Sequence, residues 1–200
     1  MRCLPFTFLV ALLAAGCAQK LPARTLPAFA SFDDWCKQLK GAQCKGEWPG
    51  AKPGTTALGA YRFVVIEASA IENFGGGPSV SFELKTPRGL VYAPMGAIGA
   101  TGRAGTTTLN IESVTAHAGT LEVRSHARMV SPSGITDTQQ ASLFIEGTAG
   151  VALAHVHLGT NSRDDRGAAK GHFGELKWQD ATLISRGTSL KDGEYRLAAP

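Results

Sequence analysis

The chain has 200 residues, which sets one main domain as the starting expectation. Hydrophobic residues make up 44% and charged residues 18%, a balance that excludes an intrinsically disordered chain. The formal net charge of +4 is dispersed, with no run of three basic residues and no basic stripe interleaved with aromatics, so nucleic acid is not an expected partner.

The first 17 residues, MRCLPFTFLVALLAAGC, carry one basic residue, Arg2, and then an apolar run from Leu4 to Ala15. That run is too short to span a bilayer, which takes about 20 apolar residues, but it suits the core of a secretory signal. It ends Leu13-Ala14-Ala15-Gly16-Cys17. This resembles the lipobox of bacterial lipoproteins, and the likeness covers residues 1–17 only. It implies removal of residues 1–16, a diacylglyceryl group on the sulfur of Cys17 and an acyl chain on its new amine. It also implies a location in the bacterial cell envelope. Ala18 stands where an aspartate would be the inner-membrane retention signal, so the resemblance favours the outer membrane. The mature chain then keeps 19 basic and 16 acidic residues, a net +3.

Residues 17–30 read as a lipidated tether: AQKLPARTLPAFA after the cysteine has two prolines and no periodicity. Residues 31–59 read as a short helix and a stapled loop. Ser31 is a suitable N-cap, with Asp33 and Asp34 in the first turn. Phe32, Trp35, Cys36 and Leu39 fall on one helical face, and Gly41 is a stop signal. In an exported chain Cys36 and Cys44 form an even pair and are expected to be disulfide-bonded, closing a loop worth about 2.5 kcal/mol by chain entropy. A redox or metal pair is the alternative, but an offset of eight residues matches neither motif.

Residues 60–200 read as one β domain. Segments 61–68, 79–86 and 89–94 are rich in β-branched and aromatic residues. Over 120–129, Leu121, Val123, Ser125, Ala127 and Met129 alternate with Glu122, Arg124, His126 and Arg128, the pattern of a half-buried strand. It follows a strand at 108–116 across the turn HAGT. Strands at 139–146 and 151–158 flank GTAG as a hairpin. One or two more strands fall in 168–186, and a last one at 194–198. The expected fold is all-β: an antiparallel β-sandwich or jelly-roll of about nine strands, preceded by one short helix, with a closed barrel as the runner-up.

The chemistry-bearing candidate is Ala154-His155-Val156-His157. Two imidazoles at i and i+2 share one face of a strand, about 6.5–7 Å apart along the backbone, and can converge on a divalent metal. The GTAG turn sets Ser142 opposite His155 and Gln140 opposite His157. The remaining face (Ala141, Leu143, Ile145, Ala152, Ala154, Val156, Leu158) is wholly apolar and is assigned to the core, so both histidines point away from it. A third ligand is needed, and His126 is the candidate. Asp164 and Asp165 sit between Arg163 and Arg166 and read as a solvated turn; His172 reads as inward with Leu176 and Trp178. The cupin pattern does not fit, because Asn161 and Ser162 stand where its glutamate belongs.

The glycines of 73–78 and 96–105 read as loops, since no Lys-Ser or Lys-Thr follows to complete a phosphate site. There is no G-x-S-x-G elbow for nucleophilic catalysis. Exposed aromatics for sugar stacking are few: Trp48, Tyr61 and Tyr92 are the candidates. The leading expectation is a non-catalytic binding or structural module, lipid-anchored at the envelope, with an envelope protein or glycan as partner and no cofactor. The alternatives are a metal-dependent enzyme using His155 and His157, and an accessory subunit of an envelope complex.

Overall fold

The computed structural model describes residues 18–39, 42–68, 77–100 and 105–197. The expected signal sequence and Cys17 lie outside the described residues. The fold is an all-β sandwich, with 69% of the described residues in strands and one short helix among them. Fifteen strands stand among the described residues rather than about nine. Some of the excess is short edge pieces of two or three residues, which leave no periodicity to detect.

In chain order the elements are β1 (Arg24–Thr25), α1 (Phe32–Gln38), β2 (Ala42–Glu47), β3 (Gly54–Thr56) and β4 (Gly59–Ala68). Then come β5 (Pro78–Thr86), β6 (Gly89–Ala97), β7 (Gly99–Ala100), β8 (Thr106–His117) and β9 (Thr120–Ser131). The last six are β10 (Gly134–Gly147), β11 (Gly150–Asp164), β12 (Ala169–Phe173), β13 (Glu175–Gln179), β14 (Thr182–Arg186) and β15 (Gly193–Arg196). They form three antiparallel sheets. A five-stranded sheet runs β2-β4-β5-β6 with β3 beside β4; a seven-stranded sheet runs β1-β11-β10-β9-β8-β7 with β12 beside β11; a three-stranded sheet runs β13-β14-β15. Most neighbours are consecutive in sequence, so the sheets are meanders and not the Greek keys of a jelly-roll.

The seven-stranded sheet lies between two cores. On one side Leu121, Val123, Phe144 and Leu153 pack with Phe63, Phe82, Leu84 and Met95 of the five-stranded sheet. On the other, Leu143, Ile145, Ala154 and Val156 pack with Leu176, Leu183 and Tyr195 of the three-stranded sheet. Strand β11 shows the division directly: Val151 and Leu153 enter the first core, whereas Ala154, Val156 and Leu158 enter the second. The face given to the core by sequence is therefore buried, and its opposite is buried too over the first residues of the strand.

A third cluster covers the outer side of the five-stranded sheet: Trp35 of α1 and Phe29 pack on Val64, Ile66 and Tyr92. Trp35 stacks on Tyr92 with ring centroids 3.9 Å apart and planes 5° from parallel. The helix begins as expected, with the Ser31 hydroxyl accepting the Asp34 N–H at 3.1 Å. Cys36 and Cys44 are disulfide-bonded, joining α1 to β2. The loop expected up to residue 59 instead contains β2 and β3, both paired with β4.

Residues 18–30 are not a free tether. Leu21, Leu26 and Phe29 are buried, one in each of the three clusters. The segment pairs as it goes: Gln19 N–H donates to Glu194 O (2.9 Å), Arg24 and Thr25 lie opposite Leu153 and Ala152, and Leu26 N–H donates to Val151 O (2.8 Å). Phe29 and Leu90 exchange both backbone bonds at 2.8 Å. That crossing is so close that a Cβ at Gly89, where φ is +127°, would lie 2.6 Å from the Phe29 carbonyl oxygen. The prolines, Pro22 and Pro27, are exposed and free of the pairing. The segment is a strap across the sandwich, hidden from sequence reading because its buried residues are spaced five and three apart, fitting neither strand nor helix periods.

Truncating Phe29 separates strap from tether. Phe29→Ala is expected to lower stability by about 3–5 kcal/mol, read as a fall in urea midpoint at unchanged slope; an unanchored residue would leave the midpoint in place.

Candidate functional site

The hairpin of β10 and β11 has the register read from the sequence: Glu146 opposes Val151, Ser142 opposes His155 and Gln140 opposes His157. Both histidines are at the surface. His155 Nδ1 is hydrogen-bonded to the Ser142 hydroxyl at 3.0 Å, and His157 Nε2 to the Thr160 hydroxyl at 3.1 Å. The His157 backbone is also engaged. Its N–H donates to Ser189 Oγ at 2.9 Å, and Ser189 N–H returns to its carbonyl at 2.8 Å.

His126 does not join them. Leu143 lies opposite both Glu122 and Ala154, which puts Glu122, Arg124 and His126 of β9 on the face of the second core. His155 and His157 are on the other face of the same sheet, with Ser142. His126 is instead hydrogen-bonded to Asp137 at 2.9 Å. Among the described residues no three His, Cys, Asp or Glu side chains gather so as to hold a metal. Asp164 and Asp165 do sit at a turn, and the Asp164 carboxylate accepts the backbone N–H groups of Arg166 and Ala168 at 3.0 and 2.8 Å. It organises the turn through the backbone rather than through its flanking arginines. His172 is exposed on β12, not inward.

The pKa of His155 is held below its usual value. Desolvation of the ring is the main cause, and Arg24 of the strap, two residues back along the strand and across from Leu153, adds repulsion. The imidazole is therefore kept neutral, a state set partly by the strap.

Two buried carboxylates escaped the sequence reading. Glu122 is 2% exposed although its strand alternation placed it in solvent. The three-stranded sheet covers it: Trp178 Nε1–H donates to Glu122 at 2.6 Å, His117 Nε2 lies 3.1 Å away, and Arg124 Nε donates from its own strand. Trp178 also stacks on His117 at 4.0 Å, and Arg124 reaches Leu176 O at 2.6 Å. Glu83 is the counterpart on the five-stranded sheet. Arg62 grips it with two hydrogen bonds, at 2.6 and 3.0 Å, and the Tyr92 hydroxyl donates at 2.7 Å. Burial and then the Glu83 contact push Tyr92 far above the usual phenol range, so it remains a donor at every physiological pH. Both nodes have their hydrogen-bonding capacity spent on protein partners, the mark of a structural polar network.

The aromatics considered for sugar stacking are also committed elsewhere. Trp48 and Tyr92 are buried, and Tyr61 stacks on Phe82 at 5.4 Å. A cavity of ≈ 390 Å³ beside Tyr61 is lined by Arg62, Glu83 and Lys85. A larger one, ≈ 700 Å³, lies between the strap, the β10–β11 hairpin and the end of β15. Its walls are mostly apolar, including Leu21, Ile145, Ala152 and Leu197, and Ala18 is part of its lining. The volume is that of a small-molecule pocket. No protein-family model, curated protein or solved structure matches the chain.

The Glu122 node carries a stability expectation. Glu122→Ala leaves the Trp178 N–H and the Arg124 Nε–H without their acceptor and should cost about 1–3 kcal/mol in chemical denaturation; a cost near zero would mean the carboxylate is dispensable. His155 carries a pH expectation. Its folded-state value is depressed, so the unfolded chain binds the proton more readily. Its contribution is intact above the usual value near 6.5 and is lost as pH falls below it. The His155→Gln variant should lose less stability than the wild type between about pH 7 and pH 5. An equal loss in both would remove His155 from the pH response.

Proposed function

We propose that the protein is a lipid-anchored module of the bacterial cell envelope, acylated at Cys17, whose β-sandwich binds or braces without catalysing. The observation that carries this reading is the Leu13–Cys17 run, read together with the strap that begins at the next residue. Ala18 is followed at once by the paired Gln19, so an anchor on Cys17 has no long spacer behind it. The domain would sit against the bilayer rather than on a leash. A diacylglyceryl group and an amide-linked chain supply more than the two signals that stable anchoring takes. The Cys36–Cys44 disulfide agrees with an exported chain. By its resemblance to lipobox signals, Ala18 favours sorting to the outer membrane.

A non-catalytic role is favoured by how the polar side chains are spent. Glu83, Glu122, His126, His155 and His157 each have protein partners. The metal-dependent enzyme on His155 and His157 has less behind it, since His126 stands on the other face. An envelope protein or glycan is the partner class, and an accessory role in an envelope assembly is the same reading with a larger partner.

Detergent phase partitioning of the protein expressed in bacteria tests the anchor. The wild type should enter the detergent phase, with an intact mass greater than that of residues 17–200 by its acyl groups. Cys17→Ser should stay in the aqueous phase with its leader uncut. A wild-type protein that partitions into water with an unmodified Cys17 would overturn the reading.

A further inference from the structure

We infer that the cavity between the strap and the β10–β11 hairpin receives one of the acyl chains carried by Cys17, so that the protein shelters part of its own anchor. The inference rests on the lipid-anchored reading and goes beyond it by assigning the chain a place in the fold. Three features of the site point to this occupant.

The first is position. Ala18 lines the cavity, and Cys17 is its covalent neighbour, one Cα–Cα step of about 3.8 Å away. A chain attached there needs no diffusion to find the site. The second is chemistry. The walls are mostly aliphatic, from Leu21, Ala23, Ile145, Ala149, Ala152 and Leu197, which suits a methylene chain. The volume, ≈ 700 Å³, lies in a groove open to solvent on one side and leaves room for an acyl chain to enter from the surface. The third is charge. Lys20 and Arg196 also line the cavity and are exposed, placing two cations where the anchor meets anionic lipid headgroups. The strap makes the site: Leu21 is buried in the second core, Gln19 is bonded to Glu194, and Thr25 is paired with Ala152. These contacts hold Ala18 at the cavity instead of letting it swing free.

The test uses the full chain, expressed in cells fed a fatty acid bearing a diazirine in its chain and a terminal alkyne. Membranes are irradiated, the protein is captured through the alkyne, and the crosslinks are mapped by peptide mass spectrometry alongside its intact mass. Crosslinks from the acyl chain to residues 145–152 and 196–197 are expected. They should fall several-fold in Ala149→Trp and in Ala23→Trp, which fill the cavity from exposed positions, while the acylated mass and the circular dichroism spectrum stay the same. An acylated protein that crosslinks only to membrane lipids, or whose cavity crosslinks persist in both tryptophan variants, would overturn this inference and leave the anchored reading standing. A Cys17 without any acyl group would overturn both.

Discussion

The open edge of β11 is the constraint on which the rest of the sandwich depends. Fifteen residues long, that strand is paired on one side with β10, and its other side would present unsatisfied backbone groups to solvent and to other chains. Several separate pieces of chain close it in succession. Leu26 and β1 bond at residues 151–153, Ser189 brackets His157, Gly174 N–H reaches Leu158 O, and β12 pairs along 159–163. They come from three parts of the sequence: the strap, β12 with the residue after it, and the loop between β14 and β15. The strap that meets the first of these positions also fills all three clusters, so edge protection and core packing are served by the same few residues. Because the strand is also apolar toward both neighbouring sheets, none of these pieces can be removed without exposing either backbone or core.

How much of this could be read in advance follows from range. The β10–β11 register was legible residue by residue, because a two-residue Thr-Ala turn fixes pairing locally and a one-residue slip would turn the apolar face to water. The N-cap of α1 and the alternation of β9 were legible for the same reason. The cover over the second face of the seven-stranded sheet was not. Glu122, Arg124 and His126 alternate with apolar residues as a solvent face does, and nothing local in 120–129 tells that β13 lies over Glu122 from more than fifty residues away. Glu83 was hidden likewise, in a strand of otherwise ordinary β-formers. A buried carboxylate is betrayed only by the donors brought to it, and those are tertiary.

The histidines illustrate the same limit from the other direction. Spacing placed His155 and His157 on one face correctly, and their distance along the strand suits metal chemistry. Convergence needs a third group on that face, and face membership across a three-strand span depends on which side of the sheet each alternation begins. On β9 the even positions face the second core, whereas on β11 the odd positions face the first; the two sets cannot meet through the sheet. What the pair does instead is local. Ser142 and Thr160 each hold one ring, and the His157 backbone is a docking point for the loop after β14. The depressed pKa of His155 then couples the neutral imidazole to Arg24, and so to the strap.

The strap is what would give the proposed anchor its meaning. A lipidated cysteine on a floating tether would let the domain range away from the membrane, whereas one that leads directly into paired backbone would fix which side of the sandwich faces the bilayer. That claim turns on whether residues 18–30 are part of the folded unit. Native-state hydrogen exchange reads this at the amides of Leu26, Phe29 and Leu90. The structure predicts protection comparable with that of the β10–β11 hairpin, since all three N–H groups donate to backbone carbonyls at 2.8 Å. Exchange of Leu26 and Phe29 at the rate of an unstructured peptide, with the hairpin still protected, would contradict it.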